Sequence, residues 1–254
     1  MIFTFIFLSF FLIGQNYEPI INLDTSFKFS RSHSDEFSNQ SLNTNKWDND
    51  IEDWGMWSWT PENVRTDSGK LFLTMTFDEH KRGKMPLSYK SGAVRLKNKP
   101  VLYGYFESKI KGSDIKQGVC PAFWAFKKTD TLWTEIDVIE LTSSENKIID
   151  VGSIVFRHPL KKNKAKLMFK HKESINFNPN KSYNIYSCKW EENSIEYYIN
   201  GQLICKTQNK YFHQPLDIIL SFGLREPFKT SPQNHKFPTE FTIEYVRVWE
   251  KSSP

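Results

Sequence analysis

What most constrains this chain is an alternation of side chains with a period of two, repeated in short runs along almost its whole length. Leu71, Leu73, Met75 and Phe77 alternate with Phe72, Thr74 and Thr76. Phe106, Ser108 and Ile110 alternate with Glu107 and Lys109, and Ile243, Tyr245, Arg247 and Trp249 with Glu244, Val246 and Val248. Such a period sends successive side chains to opposite faces of a strand. Turn chemistry punctuates the runs. Asp67-Ser68-Gly69 precedes the Leu71 run, and Asn200-Gly201 separates SIEYYI from QLICKT. Asn-Gly suits the two positive-φ positions of a tight hairpin. No segment carries convincing helical periodicity. Short strands with hairpin turns and little helix define an all-β chain, either an antiparallel sandwich or a barrel.

The 254 residues suffice for one large β domain. Residues 2–13 (IFTFIFLSFFLI) form an apolar run, shorter than the about 20 residues a bilayer span needs. The run reads as the core of an export signal ending near Asn16, although no Lys or Arg precedes it and no clear cleavage site follows. The expected organisation is a signal over residues 1–16 and one domain over 17–254, secreted to the extracellular space or periplasm without stable membrane insertion. Cys120, Cys188 and Cys205 are too few for a disulfide framework and read as buried apolar-like residues, though Cys188 and Cys205 could pair if their strands were neighbours. Net charge is +5, with 27 Lys against seven Arg. That charge is modest and diffuse, apart from Lys161–Lys172, a run that reads first as a solvated face. A monomer that does not bind nucleic acid is expected.

The segment Trp133-Thr134-Glu135-Ile136-Asp137-Val138-Ile139-Glu140-Leu141 carries the chemistry. Glu135 and Asp137 share a strand face, while Ile136 and Val138 take the other. Glu140 is five residues from Glu135, so a regular strand would turn it into the apolar side, where an unpaired carboxylate is costly. One extra residue, a β-bulge near Val138-Ile139, restores the phase and returns Leu141 to the core. A row of acids also suits a solvated edge strand. The apolar opposite face and aromatic flanks favour a cleft instead. Retaining glycosidases use two carboxylates about 5–5.5 Å apart, one as nucleophile and one as acid and then base. Repulsion and partial desolvation are expected to hold a proton on the acid/base residue near neutral pH, a proton that Asp137, between the two Glu, could share.

The chain resembles glycoside hydrolase family 16, the laminarinase, agarase and carrageenase group. The resemblance rests on Trp59-Thr60-Pro61-Glu62-Asn63-Val64, Gly69-Lys70-Leu71-Phe72-Leu73 and Ser91-Gly92-Ala93-Val94-Arg95. It continues through Tyr103–Lys111, Pro121-Ala122-Phe123-Trp124, Glu135–Glu140 and Tyr245-Val246-Arg247-Val248-Trp249. It implies a β-jelly-roll sandwich of two curved antiparallel sheets with a concave substrate cleft. It also implies Glu135 as nucleophile, Asp137 as its helper, Glu140 as acid/base, and retaining cleavage of a β-1,3 or β-1,4 linkage. No cofactor or metal is implied for the chemistry. Some members hold a structural calcium on the convex side with an Asp near the last strand, where this chain has Glu244.

Thr134–Leu141 and Leu220–Pro227 resemble the red-algal galactanases, carrageenases ahead of agarases and porphyranases, more than the laminarinases. An anionic, sulfated galactan would suit arginines in the cleft, and Arg95, Arg157 and Arg225 are candidates, each equally able to serve as a structural ion-pair partner. Trp54, Trp124 and Trp133 are candidate sugar-stacking residues, with Trp57 and Trp59 near them, whereas Trp190 and Trp249 read as core. His158 is a candidate hydrogen-bond donor to substrate. The alternatives are a β-1,3-glucanase, a transglycosylase in which sugar and not water intercepts the covalent intermediate, and, in a different class, a non-catalytic lectin on the same sandwich.

Overall fold

A computed structural model of the chain describes residues 17–97, 99–115, 117–129, 132–142, 148–157 and 166–252. The export signal assigned to residues 1–16 lies outside them. The strands run in chain order as β1 (Phe27–Phe29), β2 (Trp47–Asp48), β3 (Ser58–Trp59), β4 (Val64–Asp67), β5 (Lys70–Arg82) and β6 (Met85–Ser91). Next come β7 (Ala93–Leu96), β8 (Gly104–Lys111), β9 (Val119–Lys128), β10 (Trp133–Glu140), β11 (Ile148–Arg157) and β12 (Lys166–Ser174). The last are β13 (Asn184–Trp190), β14 (Ser194–Ile199), β15 (Gln202–Gln208), β16 (Asp217–Leu224) and β17 (Thr239–Lys251).

One sheet has the order β15-β14-β13-β8-β17-β5-β6-β3, with β1 also on β17 and β4 on β5; the other runs β12-β11-β10-β9-β16-β7-β2. The pairs are antiparallel apart from β3 beside β6. The sheets stack as a jelly roll over one large apolar cluster that takes Leu71, Leu73 and Met75 from β5, Ile136, Val138 and Ile139 from β10, and Leu220 and Phe222 from β16. Trp190 is fully buried in it.

Both turn signals close hairpins. Asn200 and Gly201 take φ of 48° and 79° between the paired Ile199 and Gln202. Ser68 and Gly69 take 49° and 73° between Asp67 and Lys70. Two positive φ values in a two-residue loop match the twist of the flanking strands.

The alternation in β17 is corrected by the structure. The register against β8 shifts between Ile243 and Tyr245, so Ile243 buries in the main core together with Val246 and Val248. Trp249 packs instead in a second cluster on the outer face with Phe27 and Tyr105. Cys188 and Cys205 do not pair, because β14 runs between their strands and both face Tyr197 in register.

Candidate active site

β10 carries the acid row. Asp137 pairs with Trp124 of β9, but Ile139 pairs with Phe123, so Val138 is one residue more than β9 can match. Val138 and Ile139 are both buried in the core. Two successive inward side chains shift the phase, and Glu140 emerges on the outer face with Glu135 and Asp137. Toward β11 the register stays constant, with Asp137 opposite Ser153 and Glu140 opposite Asp150. β11 absorbs the irregularity near Gly152, whose φ is +70°, and its own register against β12 shifts between Val151 and Ile154.

The three acids line a groove of about 560 Å³ on the outer face of the seven-stranded sheet. Its floor comes from β9 (Cys120, Ala122, Trp124, Phe126) and β16 (Ile219, Ser221, Gly223), and one wall from Trp54, Trp57 and Trp59. Aromatic rings run across it in series, two of the contacts edge to face and the middle one tilted. Trp54 meets Trp124 at 5.9 Å, Trp124 meets Phe126 at 5.4 Å, and Phe126 meets Trp133 at 5.1 Å. Trp54 is 37% exposed, so part of its surface is open to a ligand. Trp124 donates its indole N–H to Ser221 Oγ at 3.1 Å, which fixes the ring.

Each acid has its own setting. Glu135 Oε2 accepts the Trp133 Nε1–H at 3.0 Å. Asp137 is the deepest, only 6% exposed. Burial first, then the charges of Glu135 and Glu140, push its pKa well above the usual carboxylate range, against the opposing pull of Arg225 and Lys170. Glu140 Oε1 accepts from Arg225 Nη2 at 2.5 Å and from the Cys120 thiol at 3.3 Å. Burial, followed by the charge of Glu140, raises the Cys120 pKa well above normal, so this group stays a neutral S–H donor.

Trp54, Trp124, Trp133, Arg95 and Arg225 therefore converge with the acids, as do Trp57 and Trp59. Arg95 reaches the groove from β7 while its guanidinium is held by Asp48 at 2.8 Å. Arg157 ends β11, with its backbone opposite Trp133; its side chain, like all of His158, lies outside the described residues. The sequence reading missed Cys120, Ser221, Asp53, Lys128 and Lys229, all of which line the groove. Lys128 stands 5.7 Å from the Trp133 ring centre. Glu244 bonds Lys109 Nζ at 2.7 Å, and no acidic cluster able to hold a metal occurs among the described residues. The side chain at the position that the resemblance compares with a calcium-ligating Asp is therefore engaged in an ion pair.

A jelly roll whose open sheet face carries a bulged acid strand and a band of aromatic rings defines a polysaccharide-handling class. The family described as "Beta-porphyranase A-D, GH16 domain" matches residues 27–251. The chain belongs to glycoside hydrolase family 16 and is a glycoside hydrolase, acting on glycosidic bonds. It is 29% identical to the kappa-carrageenase of Pseudoalteromonas carrageenovora over an alignment that spans 92% of this chain and 67% of that protein. It is 26% identical to glucan endo-1,3-beta-glucosidase A1 of Niallia circulans over an alignment that spans 85% of this chain and 37% of that protein. The crystal structure of the Pseudoalteromonas kappa-carrageenase with an oligotetrasaccharide of kappa-carrageenan superposes with a TM-score of 0.81 at 27% identity, covering 88% of this chain and 95% of that one.

Proposed function

We propose that the protein is a secreted, retaining endo-hydrolase of β-linkages in a sulfated red-algal galactan, with Glu135 as nucleophile, Glu140 as general acid and base, and Asp137 as helper. The observation that carries this reading is the extra residue in β10, which brings all three carboxylates to one groove. Glu135 attacks the anomeric carbon while Glu140 protonates the departing glycosidic oxygen; Glu140 then deprotonates the water that releases the glycosyl-enzyme. Asp137, whose burial and flanking carboxylates make it hold its proton more tightly than usual, offers an O–H to the neighbouring carboxylates when protonated and stabilises whichever is ionised. The galactan is favoured by the similarity to a kappa-carrageenase and by Arg225, Lys128 and Lys229 in the groove. Export of residues 17–254 as one catalytic domain is inferred from the apolar run at residues 2–13.

The test is release of reducing ends from carrageenans, agarose, porphyran and laminarin, with Glu135→Gln alongside. Hydrolysis of a sulfated galactan with first-formed product of the β configuration is expected, together with a folded but inactive variant. Preference for laminarin would favour the glucanase reading, and binding without hydrolysis would favour the lectin. Undiminished activity in Glu135→Gln would remove the nucleophile assignment.

A further inference from the structure

The partly exposed ring of the groove wall, Trp54, sits on residues 51–57, which belong to no strand or helix. Its ring meets Trp59 at 4.9 Å and Trp124 at 5.9 Å. A loop of this kind moves unless its backbone is held. The hold comes from the opposite sheet. β5 and β6 shift register between Phe77 and His80, and beyond that irregularity their hairpin reaches the loop. Arg82, the last residue of β5, donates from Nη1 to the Trp57 carbonyl at 2.9 Å and from Nη2 to the Gly55 carbonyl at 2.6 Å. The same guanidinium lies 3.9 Å from Asp53 Oδ2, while Asp53 Oδ1 accepts the Trp59 N–H at 2.7 Å. His80 adds a contact, with its Nε2 2.9 Å from Ser58 Oγ. One planar group thus ties three points of the loop, on both sides of Trp54. Gly55 lies so close to the Trp57 ring that a Cβ would stand 2.5 Å from it, so the turn is closely packed as well as tied.

We propose that Arg82 is a positioning residue for glycan binding, which fixes Trp54 as a preformed stacking platform without itself meeting the sugar. The inference rests on the groove being the glycan site and adds what makes its wall ready to bind. With the guanidinium in place, the loop is ordered on folding and a bound chain need not order it again. Without it, the Gly55 and Trp57 carbonyls turn to water, and Trp54 loses its fixed place beside Trp124. The acids do not share these contacts, because β10 is held between β9 and β11 in the other sheet. Loss of Arg82 therefore weakens ground state and transition state alike, which raises KM and leaves kcat.

The test measures Kd for oligosaccharides of kappa-carrageenan and of laminarin by calorimetry in the Glu135→Gln background, and KM and kcat in the otherwise native protein. Arg82→Met is expected to raise Kd and KM by about 3- to 10-fold, the worth of one aromatic contact, with kcat little changed. Arg82→Lys keeps the charge without the fork and should recover part of the loss; it carries the same comparison if Arg82→Met does not fold. In a Trp54→Ala background the Arg82 substitution should cost nothing further, because the ring it positions is gone. Losses from Trp54→Ala and Arg82→Met that simply add would overturn the proposal. So would a fall in kcat as large as the rise in KM, or binding by Arg82→Met as tight as that of the native protein. A native protein that binds neither oligosaccharide would instead remove the groove as the glycan site, whereas tight binding indifferent to Arg82 removes the platform alone.

Discussion

Asp137 is the acid whose protonation can be followed without a substrate. Burial and two flanking carboxylates raise its pKa in the folded state, so the folded protein holds that proton more tightly than the unfolded chain. The unfolded value is about 3.9. As pH rises from there through the folded value, the unfolded state loses its proton first and stability falls; above the folded value the penalty is complete and constant. Asp137→Asn lacks that penalty. Its Tm relative to the native protein is therefore expected to rise from about pH 4 upward and to level off once the folded Asp137 has ionised, as read by thermal unfolding. A difference independent of pH would mean that Asp137 is ionised when folded. The same variant should lose about 10- to 100-fold in kcat, because the amide offers a weaker donor to its neighbours. The acids themselves were legible in the sequence, since a repelling row with an apolar opposite face has few bland explanations. Cys120 was not, because a lone cysteine in an apolar strand looks the same whether its neighbour is a leucine or Glu140. The Arg95–Asp48 pair depends on β2 meeting β7, which no local pattern announces.

The bulge belongs to two strands. Val138 is extra against β9, and Gly152 of β11 takes up the distortion with a φ of +70°. A Cβ at Gly152 would lie 3.0 Å from the Tyr197 ring, in a backbone region that L side chains occupy at a cost. Gly152→Ala is therefore expected to destabilise by about 1–3 kcal/mol, measured by denaturant unfolding. It should also depress kcat more than KM, because the acids shift while the aromatic floor of β9 stays in place. A stable, fully active variant would show that the acid row does not depend on β11. At this scale the hairpins and the β10 bulge could be read from sequence, one from Asn-Gly chemistry and the other from the cost of an inward Glu140. The shift in β17 could not. Between Ile243 and Trp249 apolar residues fall on both faces because each face is partly covered, by the core on one side and by the second cluster on the other. Alternation then carries no phase information.

Across the whole molecule, the sandwich class followed from strand and turn patterns, but sheet order and the cover over the outer face did not, because both are set by contacts between distant parts of the chain. The segment from Tyr17 to Leu23 has no alternation of its own, yet Tyr17, Ile21 and Leu23 pack on the cluster of Phe27, Tyr105 and Trp249. Beneath it lies Glu107, only 1% exposed. Its carboxylate accepts the hydroxyls of Tyr105 and Tyr245 at 2.8 and 2.9 Å and the backbone N–H of Ile20 at 3.0 Å. A buried carboxylate is tolerable only while such donors persist. Removing residues 17–23 uncovers three aromatic or aliphatic contacts and takes one donor from Glu107. The loss should be on the order of 2–4 kcal/mol from apolar area alone, or roughly 5–15 °C in Tm for a domain of this size. The groove lies on the outer face of the other sheet. Where both forms are folded, KM and kcat of the truncated protein should therefore match those of the longer one. An unchanged Tm would show that the segment is a passive tail, and a KM shift without a Tm shift would mean that it reaches the substrate.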